Sequence, residues 1–120
     1  MISSTRNVVI SEVMCGPGHG ISVGSLGKHD GEQDVEDIVV KNCIFYGTTN
    51  GLRIKTWAAP LSQPLKVSNI FYDNIVMKHV WDPIIIDQQY CPFSSCSTQV
   101  CTFNDLIIIL MFYFVPHSFG

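Results

Sequence analysis

The sequence predicts an all-β protein, a right-handed parallel β-helix of about three to four coils. Three observations predict it: short strand-like runs bounded by turn residues, a repeat of about 31 residues, and a low content of charged residues. Charged residues make up 14% of the 120 residues and hydrophobic residues 47%. This balance favours strands buried on both faces over a charged helical bundle, and the length allows one modest domain.

Six short runs are rich in β-branched and other apolar residues, and Gly, Asn, Asp or Pro separates them. No long amphipathic helical pattern lies between these runs. The runs are residues 7–10, 21–23, 37–40, 52–54, 69–72 and 84–86.

The runs recur in a fixed register. Asn7, Asp37 and Asn69 open three successive units, at intervals of 30 and 32 residues. In each unit a β-branched strand follows this polar residue, and a second strand begins about 14 residues after the first. The second strands follow Gly20, Gly51 and Pro83, and a further polar position in each unit is held by Glu12, Asn42 and Asn74.

A helix-free unit of this length fits a parallel β-helix, because stacked coils share a core that one coil cannot bury alone. Polar residues at the corners would bind backbone groups that the turns leave unpaired. A β-sandwich with strands at this spacing is the alternative. The shared phase of both strands in all three units favours the β-helix.

The end of the sequence departs from this repeat. Residues 106–115 are ten apolar residues without a turn residue, a run too short for a membrane span of about twenty residues. They fit either a buried strand or, if exposed, an aggregation-prone segment. We expect a partial β-helix domain in residues 1–100, an apolar tail outside the repeat in residues 101–120, and no association with a membrane.

Charge and cysteine content exclude several classes of protein. The net charge of −3 and the pI near 5.7 provide no basic surface for nucleic acid. The five cysteines lack the C-x-x-C pairs of zinc sites, so we expect no metal and no cofactor. An oxidising compartment fits better, and Cys91 and Cys96 are spaced to close a small disulfide loop, although sequence leaves the connectivity open. Residues 1–10 show no signal-peptide pattern, so a secreted protein would need an export signal upstream.

His19 is the first candidate site residue. It lies between Gly18 and Gly20, just before the second strand of the first unit. Flanking glycines allow a tight turn that leaves the imidazole accessible to a ligand. The alternative is a solvent-exposed histidine without a role, which is the more frequent case for a lone histidine in a turn.

Arg53 and Lys55 are two residues apart in the second strand of the next unit, so they project from one face while Leu52 and Ile54 face the core. Two neighbouring like charges repel each other unless an anion lies between or beside them. Arg supplies a planar fork and Lys a point charge, so a carboxylate-binding surface is the functional interpretation. A solvated polar face is the alternative.

Tyr90 follows the second strand of the third unit. It could line a sugar site, with its ring on the pyranose and its hydroxyl for orientation, or it could cap the core. Together with His19 and the pair Arg53 and Lys55, it holds a related position in successive units. Stacking of the units would therefore bring these side chains onto one wall.

These segments resemble motifs of the plant polygalacturonases of glycoside hydrolase family 28. Residues 15–27 are similar to the histidine motif of that family, residues 50–57 to its R-I-K motif, and residues 83–92 to its tyrosine motif. The resemblance covers about residues 2–100. The residues of the last two motifs are more similar to those of the exo-acting, pollen-type branch than to those of the endo-acting enzymes.

The resemblance implies a secreted cell-wall enzyme that hydrolyses the α-1,4-galacturonosyl bonds of pectin (homogalacturonan) by inversion. Arg53 and Lys55 would then bind substrate carboxylates near the scissile bond. His19 would hold the catalytic groups in place, and Tyr90 would contact the sugar. We expect a monomer whose partner is pectin or an oligogalacturonate.

The sequence also departs from this family. The catalytic aspartates of the family belong to an N-T-D motif and a D-D motif that precede the histidine motif, and neither occurs in these 120 residues. The family cysteine beside the D-D motif is absent too, which leaves Cys15 as the odd thiol. We therefore expect a polygalacturonase by descent that is inactive alone. The alternatives are a noncatalytic galacturonan-binding fragment and an unstable truncated product. A misread gene boundary would explain both the truncated start and the apolar tail.

Overall fold

The computed structural model describes residues 1–92 and 110–113, the last four as backbone. The described chain is all-β, and it has no helix long and apolar enough to cross a membrane. Its strands are β1 (Arg6–Ser11), β2 (Met14–Cys15), β3 (Ile21–Leu26), β4 (Val35–Tyr46), β5 (Asn50–Trp57), β6 (Val67–Lys78), β7 (Asp82–Tyr90) and β8 (Leu110–Tyr113).

The strands form two sheets in which every pairing is parallel. The first sheet has the order β1-β4-β6-β8, with β2 also paired to β4, and the second sheet has the order β3-β5-β7. Neighbouring strands of a sheet therefore come from successive repeats. A β-sandwich pairs its strands antiparallel, so the β-sandwich alternative does not describe this chain.

The structure confirms the register that the repeat predicts. Val8 pairs with Ile38, and Ile38 pairs with Ile70, so the polar residues that precede them align across three repeats. All six predicted runs lie within strands, but the strands are longer, and β4 and β6 have 12 residues each. The aligned set in the second sheet is Ile21, Leu52 and Ile84.

The predicted polar positions are corners of the chain. All six have a positive φ between 50° and 59°, and Asn and Asp tolerate that conformation better than most residues. Asn69 Nδ2 donates to Asp37 Oδ1 at 2.9 Å, and Asn74 Nδ2 donates to Asn42 Oδ1 at 2.7 Å. These bonds tie one repeat to the next. The six corner residues are Asn7, Glu12, Asp37, Asn42, Asn69 and Asn74.

Inward-facing side chains of both sheets form one apolar core. In β4, Ile38 and Val40 are buried before the corner at Asn42, and Cys43 and Phe45 are buried after it. The alternation of a strand has a period of two, and the positive φ at the corner shifts its phase by one residue. Each long strand therefore supplies two segments to the core.

Strand β8 extends the first sheet beyond the three predicted units. Leu110 pairs with Ile70, a step of 40 residues, whereas the step from Ile38 to Ile70 is 32 residues. Residues 93–109 and 114–120 lie outside the described part of the chain. The predicted boundary between residues 1–100 and the tail at residues 101–120 stays a prediction.

The cysteines are described in part. Cys91 is disulfide-bonded, and its predicted partner Cys96 lies outside the described residues, so that pairing stays a prediction. Cys15 is a half-buried free thiol and Cys43 a buried one.

Candidate functional site

Strand β5 points two cations away from the core. Leu52 and Ile54 are 2% and 3% exposed and belong to the core. Arg53 and Lys55 alternate with them, so they project from the opposite face of the second sheet, as the sequence predicts. We call that face the outer face, and we call Arg53 and Lys55 the cationic pair.

Lys55 is more enclosed than most lysines. It is 8% exposed, and its Nζ lies 4.4 Å from the centroid of the Tyr90 ring, within the range of a cation–π contact. Asp87 is its neighbour in β7, but the Asp87 carboxylate accepts a hydrogen bond from the Gln89 backbone N–H at 3.0 Å. None of the ion pairs in the described part of the chain involves Lys55. An enclosed ammonium without an anion is costly, so this position favours an added carboxylate.

Arg53 is half-buried beside Lys55. Its Nε donates to Ser22 Oγ of β3 at 3.4 Å, the one hydrogen bond of this side chain within the described residues. A guanidinium has five N–H donors in a planar fork that matches a carboxylate. Among the described residues Arg53, too, is in none of the ion pairs. The cationic pair therefore offers two unneutralised charges on one face.

Tyr90 lies on the outer face and not in the core. Its ring meets the Trp57 ring edge to face, with the centroids 5.1 Å apart. Trp57 pairs with Tyr90 because of a shift in register. One residue separates Lys55 from Trp57 in β5, whereas two residues separate Asp87 from Tyr90 in β7. Such a bulge changes the direction of the side chains that follow it. Tyr90 thus packs against Lys55 and Trp57, and it is not among the residues of the apolar core.

A third cation belongs to this surface. Lys28 Nζ lies 5.0 Å from the centroid of the Trp57 ring. Neither Lys28 nor Trp57 is among the site residues that the sequence predicts. Trp57 follows Lys55 by two residues, so the period of the strand could have identified it. Lys28 lies in the loop between β3 and β4, where no period applies.

Glu32 holds the loop that carries Lys28. Its carboxylate accepts hydrogen bonds from the backbone N–H groups of Gly27, Lys28 and His29 at 2.9, 2.8 and 3.0 Å. Partial burial by itself would raise the pKa of Glu32, but these three donors and the nearby His29 charge together lower that pKa below its ordinary value. The loop is therefore anchored by an ionised carboxylate at neutral pH.

His19 lies in the exposed turn between β2 and β3, with its Nδ1 3.0 Å from Thr49 Oγ1. The Thr49 hydroxyl also lies 3.2 Å from the carbonyl oxygen of Gly18, which accepts its proton. A hydroxyl has a single proton to donate. His19 Nδ1 is therefore the donor to Thr49, and Nε2 remains for a ligand.

The structure does not place His19 beside the cationic pair. Thr49, its partner, precedes Arg53 by four residues, a distance of about 13 Å along an extended strand. Arg53, Lys55 and Tyr90 share the outer face of the second sheet, whereas His19 lies in the turn before β3 and contacts Thr49, the residue before β5. That His19 shares one wall with the other three residues stays a prediction.

The outer face has the groups to bind an anionic ligand that contains rings. Hydrolysis with inversion needs two carboxyl groups about 6.5–9.5 Å apart. Among the described residues of β3, β5 and β7, Asp87 is the one carboxylate on the outer face. No group of three or more potential metal ligands occurs in the described residues. Within the described part of these three strands, the outer face therefore combines two cations and an aromatic ring with one carboxylate.

Known proteins have similar sequences. The sequence profile of the Glycosyl hydrolases family 28 matches residues 1–108. An exopolygalacturonase of Platanus acerifolia is 48% identical over 95 residues, which are 79% of this chain and 25% of that relative. Polygalacturonases of Brassica napus and Gossypium barbadense are 52% and 53% identical over 92 residues, which are 77% of this chain and 23% and 22% of those relatives. The chain spans about a quarter of the length of the curated relatives it matches.

Proposed function

The chain belongs to the Glycosyl hydrolases family 28, and on that premise we propose that it is the substrate-binding segment of a plant polygalacturonase. The whole enzyme would hydrolyse α-1,4-galacturonosyl bonds of pectin with inversion, as a secreted monomer in the cell wall. The names of the relatives, exopolygalacturonase and polygalacturonase, support this activity class. They do not separate exo from endo action.

One observation carries the proposal: the cationic pair has no acidic partner within the described residues and lies beside an aromatic ring. Homogalacturonan has a carboxylate on each sugar, and its pyranose rings present C–H groups to aromatic faces. Arg53 would bind one carboxylate through its fork, and Lys55 would neutralise a carboxylate from its enclosed position. Tyr90 would contact the sugar ring.

His19 would act at the other end of the site. Its Nδ1 is engaged by Thr49, so its Nε2 would hydrogen-bond to a catalytic carboxylate or to a substrate hydroxyl. In the neutral imidazole Nε2 would accept a hydrogen bond from a substrate hydroxyl or a protonated carboxyl, and in the imidazolium its N–H would donate one to a carboxylate. In either form His19 would hold reacting groups in place and would not replace the acid or base.

We further propose that the two parallel sheets are two faces of a right-handed parallel β-helix. The step of about one repeat between paired strands supports this, and so do the shared corners at equivalent positions. In such a solenoid the outer face of the second sheet is a continuous wall, which suits an extended polysaccharide.

These 120 residues, by our proposal, bind pectin without hydrolysing it. They contain neither the N-T-D motif nor the D-D motif, and Asp87 alone cannot serve as both acid and base. By themselves they would act as a noncatalytic galacturonan-binding fragment.

Calorimetric titration of an oligogalacturonate into the 120-residue chain tests the binding. We expect the double variant Arg53→Ala/Lys55→Met to weaken binding at least about tenfold, since two charge-assisted contacts are removed. A matched control, Arg6→Ala/Lys66→Met, removes two cations from the first sheet and should leave affinity within about twofold. Unchanged affinity in the site variant, or an equal loss in the control, contradicts the proposed site.

A reducing-sugar assay on polygalacturonate tests the absence of hydrolysis. We expect no release of galacturonic acid above the buffer rate. Sustained turnover by the purified chain would show that its carboxylates suffice for catalysis, and that result would overturn this part of the proposal.

A further inference from the structure

We propose that Lys28 and Trp57 form a second binding position for a uronate residue, next to the position formed by the cationic pair. The inference rests on the proposed function, because it takes the ligand to be an acidic sugar chain. The ligand class is an oligosaccharide with carboxylates on successive sugar residues. Lys28 would add one to the number of carboxylates that the surface binds.

Four side chains form a continuous row on the outer face. Lys28 Nζ lies over the Trp57 ring at 5.0 Å, the Trp57 and Tyr90 rings meet at 5.1 Å, and Lys55 Nζ lies over the Tyr90 ring at 4.4 Å. The two ends of the row are cationic and its middle is aromatic. A sugar chain along the row would meet a charge, two ring surfaces and a second charge.

Lys28 and Lys55 bind different carboxylates. A carboxylate in an ion pair lies within about 3–4 Å of the ammonium nitrogen. Each ammonium lies over a ring of its own, Lys28 over Trp57 and Lys55 over Tyr90. The proposed second position therefore gives each lysine its own carboxylate, from different sugar residues of the chain.

Lys28 is available and preorganised for this role. None of the ion pairs among the described residues involves it. Its backbone N–H is held by Glu32 at 2.8 Å, so the loop presents the lysine over Trp57 before a ligand arrives. Preorganisation lowers the entropic cost of binding.

The test compares Lys28→Met with Lys41→Met in calorimetric titrations with galacturonate oligomers of increasing length. Both variants lower the net charge equally, and Lys41 lies in β4 of the first sheet. Lys28→Met should weaken binding of the longer oligomers about fivefold, the usual upper value for an exposed ion pair, and should leave the shortest one within about twofold. Lys41→Met should leave both unchanged.

Each outcome decides the inference. An equal effect of Lys28→Met on short and long oligomers, no effect on either, or an equal effect of Lys41→Met overturns the second position and leaves the cationic pair intact. If the unaltered chain binds no oligomer, the proposed function fails and the inference fails with it.

Tryptophan fluorescence provides a second measurement that leaves Lys28 unchanged. The chain has two tryptophans, and Trp81 is 86% exposed, so Trp81→Phe leaves Trp57 as the reporter at little cost to the fold. The longer oligomers should change the Trp57 emission at saturation, while monomeric galacturonate should change it much less. Saturated binding by calorimetry without a change in emission overturns the role of Trp57.

Discussion

The two parallel sheets differ in regularity, and the candidate site lies on the irregular one. In the first sheet, β4 and β6 stay in one register through all their pairs, from Val35–Val67 to Tyr46–Lys78. In the second sheet the register shifts by one residue twice, between β3 and β5 and between β5 and β7. Regular pairing stabilises the stack of repeats. The two register shifts interrupt the regular pairing of the second sheet, and one of them aligns Trp57 with Tyr90.

The two sheets also differ in whether their cationic side chains form ion pairs. In the first sheet Arg6 lies 3.4 Å from Glu36, and Lys66 lies 3.1 Å from the same carboxylate. In the second sheet Lys55 lies over the Tyr90 ring and Arg53 donates to Ser22, and neither is in an ion pair within the described part of the chain. Cations that have partners within the fold link repeats, whereas the cations without them are the ones that we propose bind a ligand.

The largest expected effect is a loss of stability from a substitution in the core beneath the first sheet. Phe45 is completely buried after the corner of β4, and Phe45→Ala should lower the free energy of unfolding by about 3–5 kcal/mol. Tyr46→Ala is the control, since Tyr46 is 58% exposed, and it should cost less than about 1 kcal/mol. Urea unfolding followed by circular dichroism measures both. Equal losses in the two variants would mean that the chain lacks the described core.

The corners offer a graded test of the same sheet. Asn74→Ala should destabilise the chain by about 2 kcal/mol, because it removes the bond to Asn42 and leaves a Cβ residue at positive φ. Asn74→Gly keeps the φ accessible and should cost about 1 kcal/mol or less. Urea midpoints at a constant slope give the comparison. If Asn74→Gly costs as much as Asn74→Ala, backbone conformation is not the reason for asparagine here.

Lys55→Met separates stability from binding in the second sheet. It removes an enclosed charge, so the free energy of unfolding should stay within about 1 kcal/mol or rise, while affinity for an oligogalacturonate should fall about tenfold. Lys66→Met, directly before β6 of the first sheet, should leave the affinity unchanged. Calorimetry with thermal unfolding measures both quantities. A Lys55→Met variant that binds normally would remove the distinction between the sheets.

Two adjacent threonines directly before β5 have opposite roles. Within the described part of the chain the buried Thr48 hydroxyl has no hydrogen-bond partner, so Thr48→Val should be neutral or stabilise the chain by about 1 kcal/mol. Thr49→Val should instead shift neutral His19 away from the Nδ1–H tautomer, and Thr49→Ser should restore it. Nitrogen-15 NMR of the imidazole reports the tautomer. An unchanged tautomer in Thr49→Val would show that Thr49 does not orient His19.

The smallest expected effect is a pH dependence of the loop that carries Lys28. The folded pKa of Glu32 is lowered, so its stabilising contribution is complete above the ordinary pKa of the carboxyl and is lost as the pH falls through the lowered value. The protection of the Lys28 and His29 backbone amides against exchange, relative to their intrinsic rates, should therefore fall in acid. In the Glu32→Gln variant, the exchange rates of these amides should follow only the pH dependence of intrinsic amide exchange. Amide exchange of the unaltered chain that follows the same profile would contradict the anchor.

Much of the first sheet follows from the sequence, because its features recur. The strand centres and the polar corners stand at equivalent positions in three units, and each supports the others. The strand ends were underestimated because β4 and β6 continue past the corners at Asn42 and Asn74, where the turn residues suggest a stop. The amino-acid composition does not distinguish a corner at which strand pairing continues from a turn at which the strand ends.

Less of the second sheet could be predicted. The alternation of Arg53 and Lys55 with core residues follows from the period of a strand. The extra residue in β7 that pairs Tyr90 with Trp57 does not, since a bulge is one inserted residue without a typical sequence. The enclosure of Lys55 depends on that bulge, and the contact of Lys28 depends on a loop conformation fixed by Glu32. These features come from packing between repeats.

The most direct test of the contrast between the sheets is an NMR titration of the nitrogen-15-labelled chain with an oligogalacturonate. We predict chemical-shift changes concentrated in β3, β5 and β7, with the largest at Arg53, Lys55 and Trp57, and little change at the ladder of Asn42 and Asn74. Changes centred on the first sheet, or none at a saturating concentration, would contradict the assignment of the binding surface to the second sheet.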